Sequence, residues 1–177
     1  METAVFAGGC FWCLEAVFQR VNGITKVLSG YAGGQINNPT YEQVGGGHSG
    51  HAEVVKLEYN PDVIFYQTLL AIFFTIHDPT TLNRQGNDVG TQYRSAIFYT
   101  SNIQKQQARE YIQKLTEVGE YVDSIVTQVV PLEGFYSAED YHQDYYNQNQ
   151  QQPYCQLIIS PKIQKFEKKF AKLLKEE

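Results

Sequence analysis

The spacing of apolar positions changes several times along this chain, and each change marks an element. Residues 3–7 form a short apolar run that stops at Gly8-Gly9, which predicts a buried strand. Residues 11–21 read as a helix. Residues 24–31 are rich in β-branched side chains and partly alternating, which predicts a second strand. A stretch rich in Gly, Asn and Pro follows over 32–50, a long loop of the kind that lines a site. Residues 51–59 alternate again as a third strand. Asn60-Pro61-Asp62 predicts a helix start and 63–76 the helix, which is apolar nearly all round its second half and so deeply buried. It stops at His77-Asp78-Pro79. After an irregular stretch to Tyr93, residues 95–100 predict a fourth strand. Ser101 caps a helix to about Val118, and 125–132 predict a fifth strand.

Through the fourth strand this order is β-α-β-β-α-β. It predicts an α+β fold, a two-layer α/β sandwich with a ferredoxin-like core, extended by the later helix and strand. Composition shifts after Ser137. Ser137-Ala138-Glu139-Asp140 reads as an N-cap with acidic residues in the first turn. The Tyr-, Gln- and Asn-rich residues 141–153 predict a short helix running into a mobile loop. Ser160-Pro161 predicts the opening of a last helix, with Ile163, Phe166, Phe170 and Leu173 on one face and mostly lysines on the other. The expectation is one domain over 1–177, with 137–177 as a C-terminal segment packing on it or covering it.

Composition narrows the function classes. A hydrophobic content of 42% supports a real core, and a net charge of -5 argues against nucleic acid as a partner. Six of the 14 Lys and Arg residues fall between Lys162 and Lys175, a face read as solvated surface. Three cysteines do not make a disulfide framework and fit a reducing compartment. No secretory signal or membrane-spanning run is legible, so the expectation is a cytoplasmic protein away from membranes.

Candidate chemistry centres on Gly8-Gly9-Cys10-Phe11-Trp12-Cys13-Leu14-Glu15. A strand that turns through Gly-Gly into a helix puts Cys10 at the helix N-terminus, where unpaired N–H groups and the macrodipole favour a thiolate. Cys13 lies one turn on. Two buried structural cysteines are the plain alternative. A zinc site from Cys10, Cys13, His48 and His51 has the wrong setting, and no metal is expected. A thioredoxin-like redox pair has the right spacing in the wrong context. A cysteine hydrolase would need a histidine base, for which His48, His51, His77 and His142 are available. Tyr41, Glu53, Asp88 and Tyr93 sit near strand ends or in irregular stretches. A Glu53 that faced an apolar pocket would stay protonated and ready to donate; an outward-facing Glu on a half-exposed strand is the plainer reading.

Taken in order, Gly9-Cys10-Phe11-Trp12, Pro39-Thr40-Tyr41, Gly50-His51-Ala52-Glu53, His77-Asp78-Pro79, Gln85-Gly86-Asn87-Asp88 with Gly90-Thr91-Gln92-Tyr93-Arg94-Ser95, and Phe135-Tyr136 through Ala138-Glu139-Asp140 to His142-Gln143 closely resemble the A type of peptide methionine sulfoxide reductase. The resemblance runs from about Val5 to Cys155. It implies the same βαββαβ plan and an oxidoreductase that repairs methionine S-sulfoxide, free or in proteins. It implies that Cys10 attacks the sulfoxide sulfur while Glu53, Tyr41 and Tyr93 hydrogen-bond its oxygen. Asp88 holds the site through water or a tyrosine. Phe11 and Trp12 form the apolar wall for the methyl group, with His51 among the substrate-binding residues. Cys10 then becomes a sulfenic acid, a second thiol condenses with it, and thioredoxin reduces the disulfide. No other cofactor is implied, and the expected state is a monomer.

The chain departs from the family at Cys13, where many members have Gly, and in a Lys-rich helix where a Gly-rich tail often follows the counterpart of Cys155. Cys13 and Cys155 therefore compete to resolve Cys10, and Cys13 is favoured. A sulfoxide-binding module without turnover and a general thiol-disulfide oxidoreductase are the competing functions.

Overall fold

A computed structural model describes residues 1–176. Among the described residues, eight strands and six α-helices follow one another along the chain. β1 (Glu2–Gly8), α1 (Phe11–Phe18), β2 (Ile24–Ala32), α2 (Tyr41–Gly45), β3 (Ala52–Tyr59) and α3 (Tyr66–Ile76) come first. A hairpin of β4 (Arg84–Gln85) and β5 (Asp88–Val89) leads to β6 (Ser95–Tyr99) and α4 (Asn102–Glu117). Then come β7 (Gln128–Pro131), β8 (Phe135–Ser137), α5 (Tyr145–Gln148) and α6 (Ser160–Lys169).

The main sheet runs β7-β6-β1-β3-β2-β8. β3 lies antiparallel between β1 and β2, and β6 is antiparallel to β1. This is the split βαβ arrangement that the element order predicts. β7 adds a parallel edge strand beside β6, and β8 closes the other edge against β2.

The pleat sorts side chains to two faces. Phe6, Tyr31, Val55, Leu57, Tyr59 and Ile97 point into the main core beneath the helices. Val5, Ala7, Ala32, Ala52, Val54, Ala96 and Phe98 point the other way, where Leu132 and Phe135 cover them. Two residues from Val55 on β3, Glu53 falls on the helical face. The core is filled by Phe, Leu, Ile, Val and Tyr; the only methionine, Met1, is exposed at the N-terminus.

Several boundaries differ from expectation. α3 starts at Tyr66, because Asn60 closes a separate turn in which its carbonyl accepts the N–H groups of Val63 and Ile64. The loop over 32–50 contains α2, whose N-cap Thr40 and Gln43 make a reciprocal capping box. Ser137 ends a strand instead of capping a helix. Ser160-Pro161 does not open the last helix: Pro153 and Tyr154 are already helical, and a π-helical run, Cys155–Ile159, leads without a break into α6. No described helix is long and apolar enough to cross a membrane.

Candidate active site

Cys10 is the N-cap of α1, in extended conformation, and its side chain makes no capping bond. The thiol is therefore left free for chemistry. Gly9, at φ +92°, makes the turn, and a Cβ there would lie 2.6 Å from Gln85. The orphan N–H of Phe11 at the start of α1 is satisfied from the sheet: it donates to Oε1 of Glu53 at 3.2 Å. That bond joins the acid on β3 to the residue beside the thiol.

Glu53 is 2% exposed. Burial, with the Phe11 bond opposing and Asp88 and Cys13 adding repulsion, pushes its carboxyl up to about 8. At neutral pH it is a neutral proton donor. Tyr41 opens α2; burial and the Glu53 carboxyl raise Tyr41 to about 12, against an opposing effect of Tyr93, and raise Tyr93 further still. Both remain phenols that can donate. Tyr31 donates to Glu139 Oε1 at 2.9 Å, and the Tyr41 N–H donates to Glu139 Oε2 at 3.0 Å, which ties α2 to the chain beyond β8.

The position of Cys10 at a helix N-terminus predicts a lowered pKa. The opposite holds in the resting protein. Burial, the Cys13 side chain and the Glu53 carboxyl all raise Cys10, and the Trp12 N–H only partly opposes them. Cys13 moves the other way, to about 7, chiefly because the Cys10 thiol hydrogen-bonds to it; the Lys162 ammonium adds to this against the cost of burial. The two sulfurs therefore shift in opposite directions, Cys10 upward and Cys13 downward.

Asp88, on the β4–β5 hairpin, accepts from the Tyr154 hydroxyl at 2.7 Å. The same hydroxyl lies 3.9 Å from the Cys13 sulfur, a contact that also helps to lower Cys13. Cys10, Gln85, Asp88, Tyr154, Ile158 and Lys162 line a cavity of about 310 Å³ between the hairpin and the π-helical run.

Phe11 has no exposed surface; it packs against Trp12, Tyr31 and His142. Trp12 alone of the pair is partly exposed. Its Nε1–H donates to His142 Nδ1 at 3.1 Å, and Tyr145 stacks on it with ring centroids 3.6 Å apart. His142, Tyr145 and Tyr154 were absent from the expected site. His142 lies within the family-like motif, but nothing in periodicity brings 142–154 back over α1.

His51 does not join this site. Its Nδ1 accepts the Gly34 N–H at 3.0 Å and its Nε2–H donates to the Ile36 carbonyl at 2.7 Å. Both nitrogens are committed to pinning the loop after β2, and the cavity beside His51 contains no Cys10. Cys155 is fully buried within the π-helical run, not on a mobile segment. Residues 145–152 are tied down instead: Asn147 donates to Gln19 and Asp144, and Arg20 donates to Asn147. All three cysteines are free thiols.

A family model described as "Peptide methionine sulfoxide reductase" matches residues 2–174. The chain is 55% identical over 174 residues to peptide methionine sulfoxide reductase MsrA of Chromobacterium violaceum, covering 98% of this chain and 99% of that protein. It is also similar to the solved structure of Mxr1 from Saccharomyces cerevisiae in reduced form, with TM-score 0.80 and 35% identity over 87% of this chain and 88% of that one. The structure of Mxr1 in complex with Trx2 matches with TM-score 0.56 and 26% identity, over 81% of this chain and 84% of that one.

Proposed function

Because this chain belongs to the peptide methionine sulfoxide reductase family, we propose that it reduces methionine S-sulfoxide, free and in proteins, at Cys10, and that thioredoxin restores the enzyme. The observation that carries the reading is the Phe11–Glu53 hydrogen bond, which sets a neutral carboxyl beside a free thiol.

The sulfoxide sulfur meets the Cys10 sulfur, and its oxygen takes hydrogen bonds from Tyr41, Tyr93 and Glu53. Sulfoxide oxygen departs poorly until it is protonated, and neutral donors in a dry site supply that proton as charge develops. Glu53 gives its proton to the oxygen while the Cys10 proton passes to the Cys13 thiolate. The Cys10 sulfur bonds to the sulfoxide sulfur; as the protonated oxygen passes from that sulfur to Cys10, the substrate's S–O bond and the new S–S bond break, methionine leaves, and Cys10 is left as a sulfenic acid. Asp88 orients Tyr154 at the cavity wall, and Trp12, backed by Phe11, faces the substrate methyl group. The Cys13 sulfur then displaces the sulfenic oxygen as water, giving a Cys10–Cys13 disulfide. Reduced thioredoxin, a dithiol, exchanges with that disulfide, returning two thiols and leaving with its own disulfide. The likeness to Mxr1 in its complex with Trx2 supports this choice of reductant.

In this reading residues 1–177 are one catalytic domain and 137–177 its covering segment, and the protein is a cytoplasmic monomer. Its three free thiols fit a reducing compartment. Incubation with N-acetylmethionine S-sulfoxide and dithiothreitol, then with thioredoxin, thioredoxin reductase and NADPH, tests the proposal. Stoichiometric methionine product with NADPH consumption supports it. Absence of methionine product in both arms overturns it.

A further inference from the structure

One buried carboxyl is unused by this chemistry. Glu15 lies on α1 one turn past Phe11 and is 2% exposed. Its Oε2 accepts from the Ser29 hydroxyl at 2.9 Å, and its Oε1 accepts from the Asp144 N–H at 2.5 Å. Gln19, a turn further on, donates to Glu15 Oε1 at 3.4 Å and to Asp144 Oδ1 at 3.2 Å. The neighbouring Gln143 is clamped as well: its Oε1 accepts the Ser29 N–H at 3.0 Å, and its amide donates to the Ser29 carbonyl at 2.8 Å.

Asp144 is held at φ 54° and ψ 33°, in the left-handed region that a residue with a Cβ adopts only at a cost. Such a conformation persists where its surroundings over-determine it. Here it turns the chain so that Tyr145 lands flat on Trp12, 3.6 Å between centroids and 7° between planes. Two residues earlier, His142 holds the edge of the same indole through its Nδ1. Both clamps on Trp12 therefore come from one short segment, and that segment is docked on α1 and β2 through Glu15 and Ser29.

We infer that Glu15 is a positioning residue: through the Asp144 backbone N–H it sets Tyr145 against Trp12 and so fixes the wall that receives the substrate's methyl group. This deepens the proposed function and rests on it for the consequence in turnover. The structural half stands apart from it, because the position of Trp12 can be read without substrate. A buried carboxyl is costly to keep, and its two oxygens are spent on holding these two segments.

Trp12 is the only tryptophan in the chain, so its fluorescence reports the stack directly. Glu15→Leu keeps side-chain bulk but removes both acceptors, and Glu15→Gln keeps an acceptor for the Asp144 N–H. The expected result is that Glu15→Leu raises acrylamide quenching of Trp12 at least about two-fold and KM for methionine sulfoxide about five-fold, with kcat changed less. Glu15→Gln returns quenching close to the unsubstituted value. Tyr145→Leu gives the spectrum of an unstacked Trp12, and adding Glu15→Leu to it should change KM little further. A folded Glu15→Leu protein with unaltered quenching overturns the inference, as does full additivity with Tyr145→Leu. Should Glu15→Leu not fold, hydrogen exchange on the unaltered chain decides: an Asp144 N–H exchanging as fast as an open loop amide refutes the tether, and strong protection supports it. Absent turnover in the unaltered protein would refute the proposed function while leaving the quenching and exchange results to judge Glu15.

Discussion

Glu53 on β3 accepts the first backbone N–H of α1, from Phe11, at 3.2 Å. One bond thus caps a helix and fixes the distance between an acid and a thiol. Since burial raises Glu53 to about 8, its protonated form dominates at neutral pH and is lost above that value. Turnover measured from pH 6 to 10 should fall on an alkaline limb near pH 8. Glu53→Gln should lower kcat by about 10²–10⁴-fold, while the Cys10 thiol still reacts with small alkylating agents. An undiminished kcat would remove Glu53 from the proton transfer.

The same shift bears on stability with a definite sign. The folded value lies above the ordinary carboxyl value of 4.5, so the native state holds this proton more tightly than the unfolded chain. The contribution of Glu53 is complete below about pH 4.5 and is lost as pH rises through about 8. Glu15, raised to about 7 by burial, acts in the same sense over a slightly lower window. Glu53→Gln should therefore flatten the decline of Tm between pH 5 and 9, as read by calorimetry, even as it slows turnover. A decline as steep as in the unaltered protein would contradict the shift.

Cys13 holds its low value through the Cys10 thiol and the Lys162 ammonium. Thiolate absorbance near 240 nm, titrated from pH 5 to 10, should show one sulfur ionising close to 7. Cys10→Ala and Lys162→Met should each move that step upward. Cys13→Ser should also slow methionine release in a single turnover, which loss of a resolving thiol alone would leave intact. An unchanged first turnover would leave Cys13 as a resolver only.

Cys155 is enclosed in the π-helical run, so reaching Cys10 would require opening that segment. Mass mapping after one turnover should find the Cys10–Cys13 bond in the unaltered protein and in Cys155→Ser. In Cys13→Ser a Cys10–Cys155 bond should form more slowly. A dominant Cys10–Cys155 bond in the unaltered protein would reverse this order.

His51→Ala removes two partly buried hydrogen bonds to the loop after β2. Unfolding by urea should show a loss of about 1–3 kcal/mol, with KM for the sulfoxide near its original value. A large rise in KM without loss of stability would return His51 to the substrate site.

What the sequence made legible follows from the range of the forces involved. The apolar run of β1, the partial alternation along β2 and β3 and the apolar surface of α3 reflect burial, which leaves a local imprint, so the split βαβ core could be read directly. Cys10, Glu53, Tyr41, Tyr93 and Asp88 were named through a family-like set of motifs; period alone favoured an outward-facing Glu53. The register of β3 puts it on the face of Val55 and Leu57. Other features depend on distant partners. The thiol shift of Cys10 reverses because burial outweighs the helix terminus, and burial of a single cysteine has no sequence signature. The return of residues 142–154 over α1 rests on side-chain bonds from Glu15, Ser29 and Gln19, polar residues with no period. The π-helical run hid behind Ser160-Pro161, whose proline suits a first turn but here sits in a helix already wound from residue 153.

The core described above contains no thioether; the one methionine stands at the exposed N-terminus. Methionine is the usual filler of irregular gaps, and its oxidation turns an apolar side chain into a polar one that disrupts packing. Here Phe, Leu, Ile and Val fill those gaps. A burst of oxidant that creates the substrate for this enzyme therefore meets no methionine inside it to convert, and the catalyst keeps its packing under the conditions that call for it.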